Sequence, residues 1–361
     1  MTLPPASSRR HHFGASLEVM RRPLALMLFL TMSVLMPSVA GAHGGATSGT
    51  NYESNVLTTP AGIAARMVGG DDRLMITRTT PATVIVLGYN GEPYLRLDLR
   101  GIWQNERSPA VALNDVRIPP TTDVGIDTPK GEPRWVQTGS GNEVVFHDHR
   151  SHWMSSKPPA VVRADASQPR TLYEWSIPVT VAGQSKTITG DVAWLGAPRA
   201  WLWWLITVVA ASGALVVGLK APLPAFASAV VAMLLTIAAG AATGISLQLD
   251  LPDSTTGVVV AAAIALLLMA VGLGFAVLTR RTPAHAVTVL LLASMIAGGV
   301  QLIGVAGPAF GYALVPGPLP TLATRLFIII GIASLALLVG LTIRAWQGLL
   351  QPAQPTRDVA W

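Results

Sequence analysis

The sequence predicts an extracytoplasmic all-β sandwich of immunoglobulin or cupredoxin type, followed by an α-helical membrane domain of five transmembrane helices. Three observations lead there. The chain is 51% hydrophobic with a mean hydropathy of +0.49, too apolar for one soluble domain, and the apolar residues gather in its C-terminal half. Region 56–195 reads instead as short alternating strands separated by turn residues, with no helix-period segment. The chain also opens with the three parts of an export leader. The expected organisation is a signal peptide over 1–42, an extracytoplasmic β-domain over 43–198, a five-helix membrane domain over 199–346 and a cytoplasmic tail over 347–361.

In the leader, Arg21 and Arg22 form the positive region, 24–36 the apolar stretch and Ala40-Gly41-Ala42 an A-x-A cleavage site. Residues 20–42 form a complete signal peptide by themselves, so Met1 and Met20 both stand as possible starts. Ser8-Arg9-Arg10-His11-His12-Phe13 hints at a twin-arginine signal, but Phe13 is displaced from the position such a signal needs. The alternative, an uncleaved anchor helix, is disfavoured because the apolar core is short and stops at Pro37.

After the leader, 43–51 is rich in Gly, Ser and Thr. Alternation marks strands at Arg73-Leu74-Met75-Ile76-Thr77-Arg78, at Tyr94-Leu95-Arg96-Leu97-Asp98-Leu99-Arg100 and over 186–194. Residues 83–87 form a more continuous β-branched strand that runs to the turn signal Asn90-Gly91, and 175–181 with 184 onward reads as a hairpin around Ala182-Gly183. Roughly eight strands over about 150 residues suit an antiparallel sandwich. The stretch 117–133 carries four prolines and is expected to be a long loop. Trp103, Trp135, Trp175 and Trp194 fall through the strands as core candidates.

Five apolar segments then reach bilayer length, at about 201–219, 224–246, 257–279, 284–304 and 322–343. With the β-domain outside, the basic residues beside them (Lys220, Arg280-Arg281 and Arg344) all fall on the cytoplasmic side, whereas Asp250 and Asp253 lie in an outer loop. Trp201, Trp203 and Trp204 open the first segment where an interfacial aromatic belt is expected. Gly240-Ala241-Ala242-Thr243-Gly244 is a GxxxG that can support close helix packing or a dimer contact. Gln301 and Arg325 are polar residues at membrane depth; Arg325 is near enough to its helix end to snorkel.

The net charge of +6 does not point to nucleic acid. Residues 43–199 contain fifteen Lys/Arg and fifteen Asp/Glu, so the excess is topological. The absence of cysteine excludes disulfides and thiolate metal sites, leaving nitrogen, oxygen or thioether for any ion. GxSxG, HExxH, phosphate-loop and Rossmann patterns are also absent.

The candidate chemistry lies in His147-Asp148-His149-Arg150-Ser151-His152-Trp153-Met154. After cleavage at Ala42, His43 becomes the amino terminus and offers an α-amine beside its imidazole. Glu143-Val144-Val145-Phe146 is strand-like, so His147 and His149 are expected on one face of an extended backbone with Asp148 pointing away. The amine with His43, His147 and His149 makes up to four nitrogen donors, a tetragonal set that suits Cu(II) better than zinc. His152 and Met154 lie beyond the strand as auxiliaries, the thioether of Met154 favouring Cu(I), while Asp148 or Glu143 can fix an imidazole tautomer. The competing reading is a hydrogen-bonded corner, with Arg150 paired to Asp148 and Trp153 packed in the core.

Together with Val86-Leu87-Gly88-Tyr89-Asn90-Gly91-Glu92-Pro93-Tyr94-Leu95-Arg96, Ile102-Trp103-Gln104-Asn105 and Ser108-Pro109-Ala110, this run resembles a family of actinobacterial membrane proteins to which no activity is assigned. The site pattern is similar to that of the copper-resistance CopC proteins and of the soluble part of the particulate methane monooxygenase B subunit, a cupredoxin-like domain fused to helices. There a mature N-terminal His-Gly joins a later His-x-His at copper, and His43-Gly44 with His147-Asp148-His149 match that pattern. The likeness is between sites.

The leading expectation is therefore a membrane-anchored copper-binding protein that captures, buffers or delivers the ion, with membrane lipid and a metal ion as partners. Transport by this chain alone is not expected, because the membrane segments hold only His285, no cysteine and the scattered Met233, Met269 and Met295. The alternative is a receptor or assembly subunit with structural histidines, partnered by a membrane protein or a second copy. A copper oxygenase or oxidase subunit is the third reading.

Overall fold

The computed structural model describes residues 49–117, 131–155, 157–249, 255–278, 282–315 and 317–350. The signal peptide, His43, most of the proline-rich stretch, the loop acids Asp250 and Asp253, Arg280-Arg281 and the end of the tail lie outside them.

Among the described residues ten strands come first: β1 Tyr52–Thr58, β2 Ile63–Val68, β3 Arg73–Arg78, β4 Val84–Leu87, β5 Pro93–Asp98, β6 Gly101–Asn105, β7 Trp135–Gly139, β8 Glu143–Phe146, β9 Arg170–Val181 and β10 Gln184–Trp194. Two short helices, α1 Pro109–Leu113 and α2 Ala160–Ala164, interrupt them. The strands form two antiparallel sheets, β1-β10-β9-β4-β5-β6-β7 and β2-β3-β8. Alternation decides which side chains turn inward. In β10, Ile188 and Val192 are buried, and in β4, Val84 and Val86. They meet Leu74, Ile76 and Phe146 of the small sheet in one core, where each large aliphatic side chain contributes about 1.5–3 kcal/mol.

The hairpin at Ala182-Gly183 is as the sequence suggests, with φ of 55° and 77° at the two turn residues, the left-handed pair that a two-residue hairpin loop requires. β9 starts five residues before the expected 175, because its pairing with β10 continues past an irregularity at Val192/Ala193 to Arg170↔Trp194. Trp175 and Trp194 are core residues. Trp103 and Trp135 are half-buried and sandwich Arg96, whose guanidinium carbon is 4.7 Å from each ring centre.

Helices α3 Ala200–Lys220, α4 Ala225–Leu249, α5 Thr255–Leu278, α6 Pro283–Gly311 and α7 Thr321–Leu350 follow. Four of them, all but α5, are long and apolar enough over their described residues to cross a membrane; α5 shows a shorter apolar stretch, Leu266–Leu278. α6 runs past the expected 304, through a π-helical turn at Met295–Gly299 and over Pro308 to Gly311. The GxxxG is used within the chain. A β-carbon on Gly240 would stand 2.7 Å from Gly298 Cα, and one on Gly298 2.5 Å from the Thr236 carbonyl, so α4 and α6 approach backbone to backbone. Gly244 faces the Gln301 side chain. Arg325 does not reach outward alone: its Nε donates to the Ala309 carbonyl (2.9 Å) and Nη2 to that of Tyr312 (2.7 Å), with Trp203 under its guanidinium at 4.8 Å. It thereby closes the last turn of α6.

A short ladder joins the segment before the first strand to the loop after α6. Thr50 N donates to Leu314 O and Leu314 N to Thr50 O, both at 2.9 Å, and Ala313 N donates to Asn51 Oδ1 at 2.8 Å.

Candidate metal centre

β8 pairs with β3 up to Leu74↔Phe146, and there the strand ends. His147 and His149 therefore do not share a strand face, contrary to the expectation. Asp148 is extended (φ −143°, ψ 121°) and caps a single 3₁₀ turn, His149–Ser151, accepting from Arg150 N at 3.0 Å. Ser151 N and Oγ both donate to the Asp148 carbonyl, at 3.0 and 2.9 Å. The chain is extended again at His152 (φ −146°, ψ 164°). An Asp whose carboxylate bonds the backbone N–H two residues on favours such a capped turn over continued strand. The reversal brings in His152 as well. The ring centres are 5.3 Å apart for His147–His149, 4.2 Å for His147–His152 and 5.5 Å for His149–His152. One ring nitrogen of each lies within 4.8 Å of the others.

The Asp148–Arg150 pair of the competing reading is also present, on the same turn, whereas Trp153 is half-buried and not part of the core. Arg150 donates from Nε to Asp148 Oδ1 (2.9 Å) and from Nη2 to Oδ2 (2.7 Å), with Asp148 wholly buried. A second bond from Nη2 reaches the Leu87 carbonyl at 3.1 Å. The guanidinium also lies over Tyr89, whose hydroxyl accepts from His149 N at 3.0 Å and donates to Asn114 Oδ1. Burial, with the Asp148 charge, pushes that phenol well up. Asp148 thus shapes the turn that carries the imidazoles and holds none of them. Glu143 is exposed and accepts from Thr77 Oγ1 across the sheet at 2.9 Å, away from the expected role of fixing a tautomer.

Each imidazole is oriented by a backbone carbonyl. His147 Nδ1 meets the carbonyl of Asp72 at 2.7 Å, His149 Nε2 that of Val116 at 2.7 Å and His152 Nδ1 that of Trp153 at 3.1 Å. A carbonyl only accepts, so these nitrogens carry the protons and leave lone pairs on His147 Nε2, His149 Nδ1 and His152 Nε2. Two of these, His147 Nε2 and His152 Nε2, are buried without a hydrogen-bond partner, a state that costs about 1–3 kcal/mol each. Burial lowers the titration of His147, and at His152 burial, with the neighbouring His147 and Arg117, lowers it to about 3. His147 and His152 are thus neutral at physiological pH, the protonation state a metal needs.

His152, expected from the sequence as an auxiliary, is the most buried of the three at 0% exposure. The Tyr173 hydroxyl donates to its carbonyl at 2.6 Å. Met154 is half-buried two residues further on. The features that sequence reasoning missed are the three carbonyls, which carry no sequence signal, and Arg117, hidden among balanced charges. A separate cleft of about 350 Å³, lined by Glu53, Arg66, Met67 and Leu314 among others, opens beside the Thr50–Leu314 ladder and includes none of these histidines.

Comparison of the chain with protein-family models, curated proteins and solved structures returned no match.

Proposed function

We propose that this chain is a membrane-anchored, extracytoplasmic copper-binding protein that captures, buffers or delivers the ion. The observation that carries the reading is the convergence of three imidazoles, each with one nitrogen on a carbonyl and two with the other nitrogen buried and unpartnered. Metal-bound histidines characteristically donate their second N–H to such a carbonyl. Imidazole donors without thiolate suit copper or zinc. Copper is preferred here because the proposal adds His43 with its α-amine as a further nitrogen donor and Met154 as a thioether. His147, His149 and His152 would hold the ion in the β-domain, which in this reading is a cupredoxin-like sandwich. Bound copper would add redox and Lewis-acid capacity; the chain's own contribution is to present preset lone pairs from a dry corner.

In the same proposal all five helices span the membrane, the β-domain lies outside and the C-terminus lies inside, in contact with lipid and with a second copy or another membrane protein. The corner built by Asp148 and Arg150 favours a second reading, an assembly subunit whose histidines are structural.

The deciding measurement is Cu(II) titration of the processed full chain in detergent, followed by EPR and chelator competition. One tight Cu(II) per chain is expected, with nitrogen ligands. His147→Ala, His149→Ala or His152→Ala should each weaken it by about 10- to 100-fold or more, and one residue added before His43 should weaken it sharply. A correctly processed chain that binds no copper overturns the reading. Unchanged binding in the histidine variants overturns the site assignment, and co-purifying partners retained by those variants support the subunit reading. Mass spectrometry of the mature amino terminus establishes whether the His43 amine exists.

A further inference from the structure

We propose that Arg117 is the positioning residue of the histidine site, clamping together the two backbone segments that aim His147 and His149. The inference rests on the metal reading above. Those two imidazoles are oriented by carbonyls that no side-chain substitution can remove, Asp72 O and Val116 O. Asp72 lies in the turn between β2 and β3, Val116 in the irregular segment after α1, and neither residue is in a strand. No sheet register therefore fixes their spacing.

Arg117 supplies the fixing. It follows Val116 directly, and its guanidinium reaches two consecutive carboxylates of the other segment, Nη2 to Asp71 Oδ2 at 2.9 Å and Nη1 to Asp72 Oδ1. Asp71 is the anchor, only 1% exposed. A planar guanidinium spans two acceptors in a fixed fork, which a lysine ammonium cannot reproduce. His152 is held otherwise, by the Trp153 carbonyl on its ring and by Tyr173 on its backbone. Loss of Arg117 should therefore uncouple His147 from His149 and leave His152 in place.

The experiment uses the full chain in detergent with Cu(II) alone as the probe, comparing wild type, Arg117→Gln and Arg117→Lys. Arg134→Gln serves as control, since that residue pairs with Glu106 on the surface away from the histidines. Affinity is read by chelator competition and the number of bound imidazoles by pulsed EPR, with metal-free melting measured in parallel. Both Arg117 variants should bind about 10- to 100-fold more weakly with fewer coordinated imidazoles, and Arg134→Gln should match wild type. If Arg117→Gln fails to fold, the double variant Arg117→Met/Asp71→Asn, which leaves no unpaired buried charge, is read the same way. Wild-type affinity and imidazole count in the Arg117 variants overturn the inference and leave the metal reading standing. No Cu(II) binding by wild type overturns both.

Discussion

At the scale of residues, the histidine corner joins two kinds of polar burial. The Asp148–Arg150 pair is satisfied on both sides, so its burial costs little beyond desolvation and it specifies the turn. Two of the imidazoles beside it, His147 and His152, each keep a buried nitrogen without a hydrogen-bond partner, and they make the corner sensitive to acid. His152 titrates near 3 in the folded chain against 6.5 ordinarily, and His147 is lowered in the same direction. As pH falls below 6.5 the unfolded chain takes up these protons first. Stability that is fully present above 6.5 is therefore lost through the window down to about 3, by at most about 1.4 kcal/mol per pH unit per histidine. Denaturant titration of metal-free protein between pH 7 and 4 should show this slope, and His152→Gln should flatten it. A pH-independent midpoint in wild type would contradict the buried, neutral assignment. The residue types at this corner were readable from the chain, but their convergence was not. A period of two put His147 and His149 on a strand, whereas the Asp148 cap ends the strand and brings in His152.

At the scale of elements, periodicity located most strands and all five helices, because alternation and long apolar runs are direct records of burial. What it missed has local causes. β9 extends beyond its alternating segment because its partner strand is long, and α6 continues through a π turn and a proline that would ordinarily argue for an end. The GxxxG was legible as a close-packing motif, but its partner, Gly298, sits on the π turn and could not be named in advance. That contact gives a prediction. Gly298→Val places a side chain 2.5 Å from the Thr236 carbonyl and should push α4 and α6 apart, costing at least about 1–3 kcal/mol. Gly274→Val, whose new β-carbon would meet no heavy atom within 4 Å, should cost far less. Unfolding in mixed micelles compares the two, and equal losses would refute the backbone contact.

At the scale of the whole molecule, the strands and helices are stitched by backbone at Thr50 and Leu314. Thr50→Pro removes the donor to Leu314 O and should loosen this joint without touching the sheet core. Faster hydrogen exchange over 312–315 and a proteolytic cut that separates strands from helices are the expected signs; unchanged exchange there would show that the ladder contributes nothing to the joint. The joint also orders events in time. Asn51 closes on Ala313, 262 residues later in the chain. A ribosome must therefore synthesise the whole of α6 and the residues just after it before the first strand can complete its outermost contacts. A chain interrupted before residue 313 can assemble its sheets and its histidine corner, yet it leaves the first strand's leading end unfastened, a mark by which a half-made copy differs from a finished one.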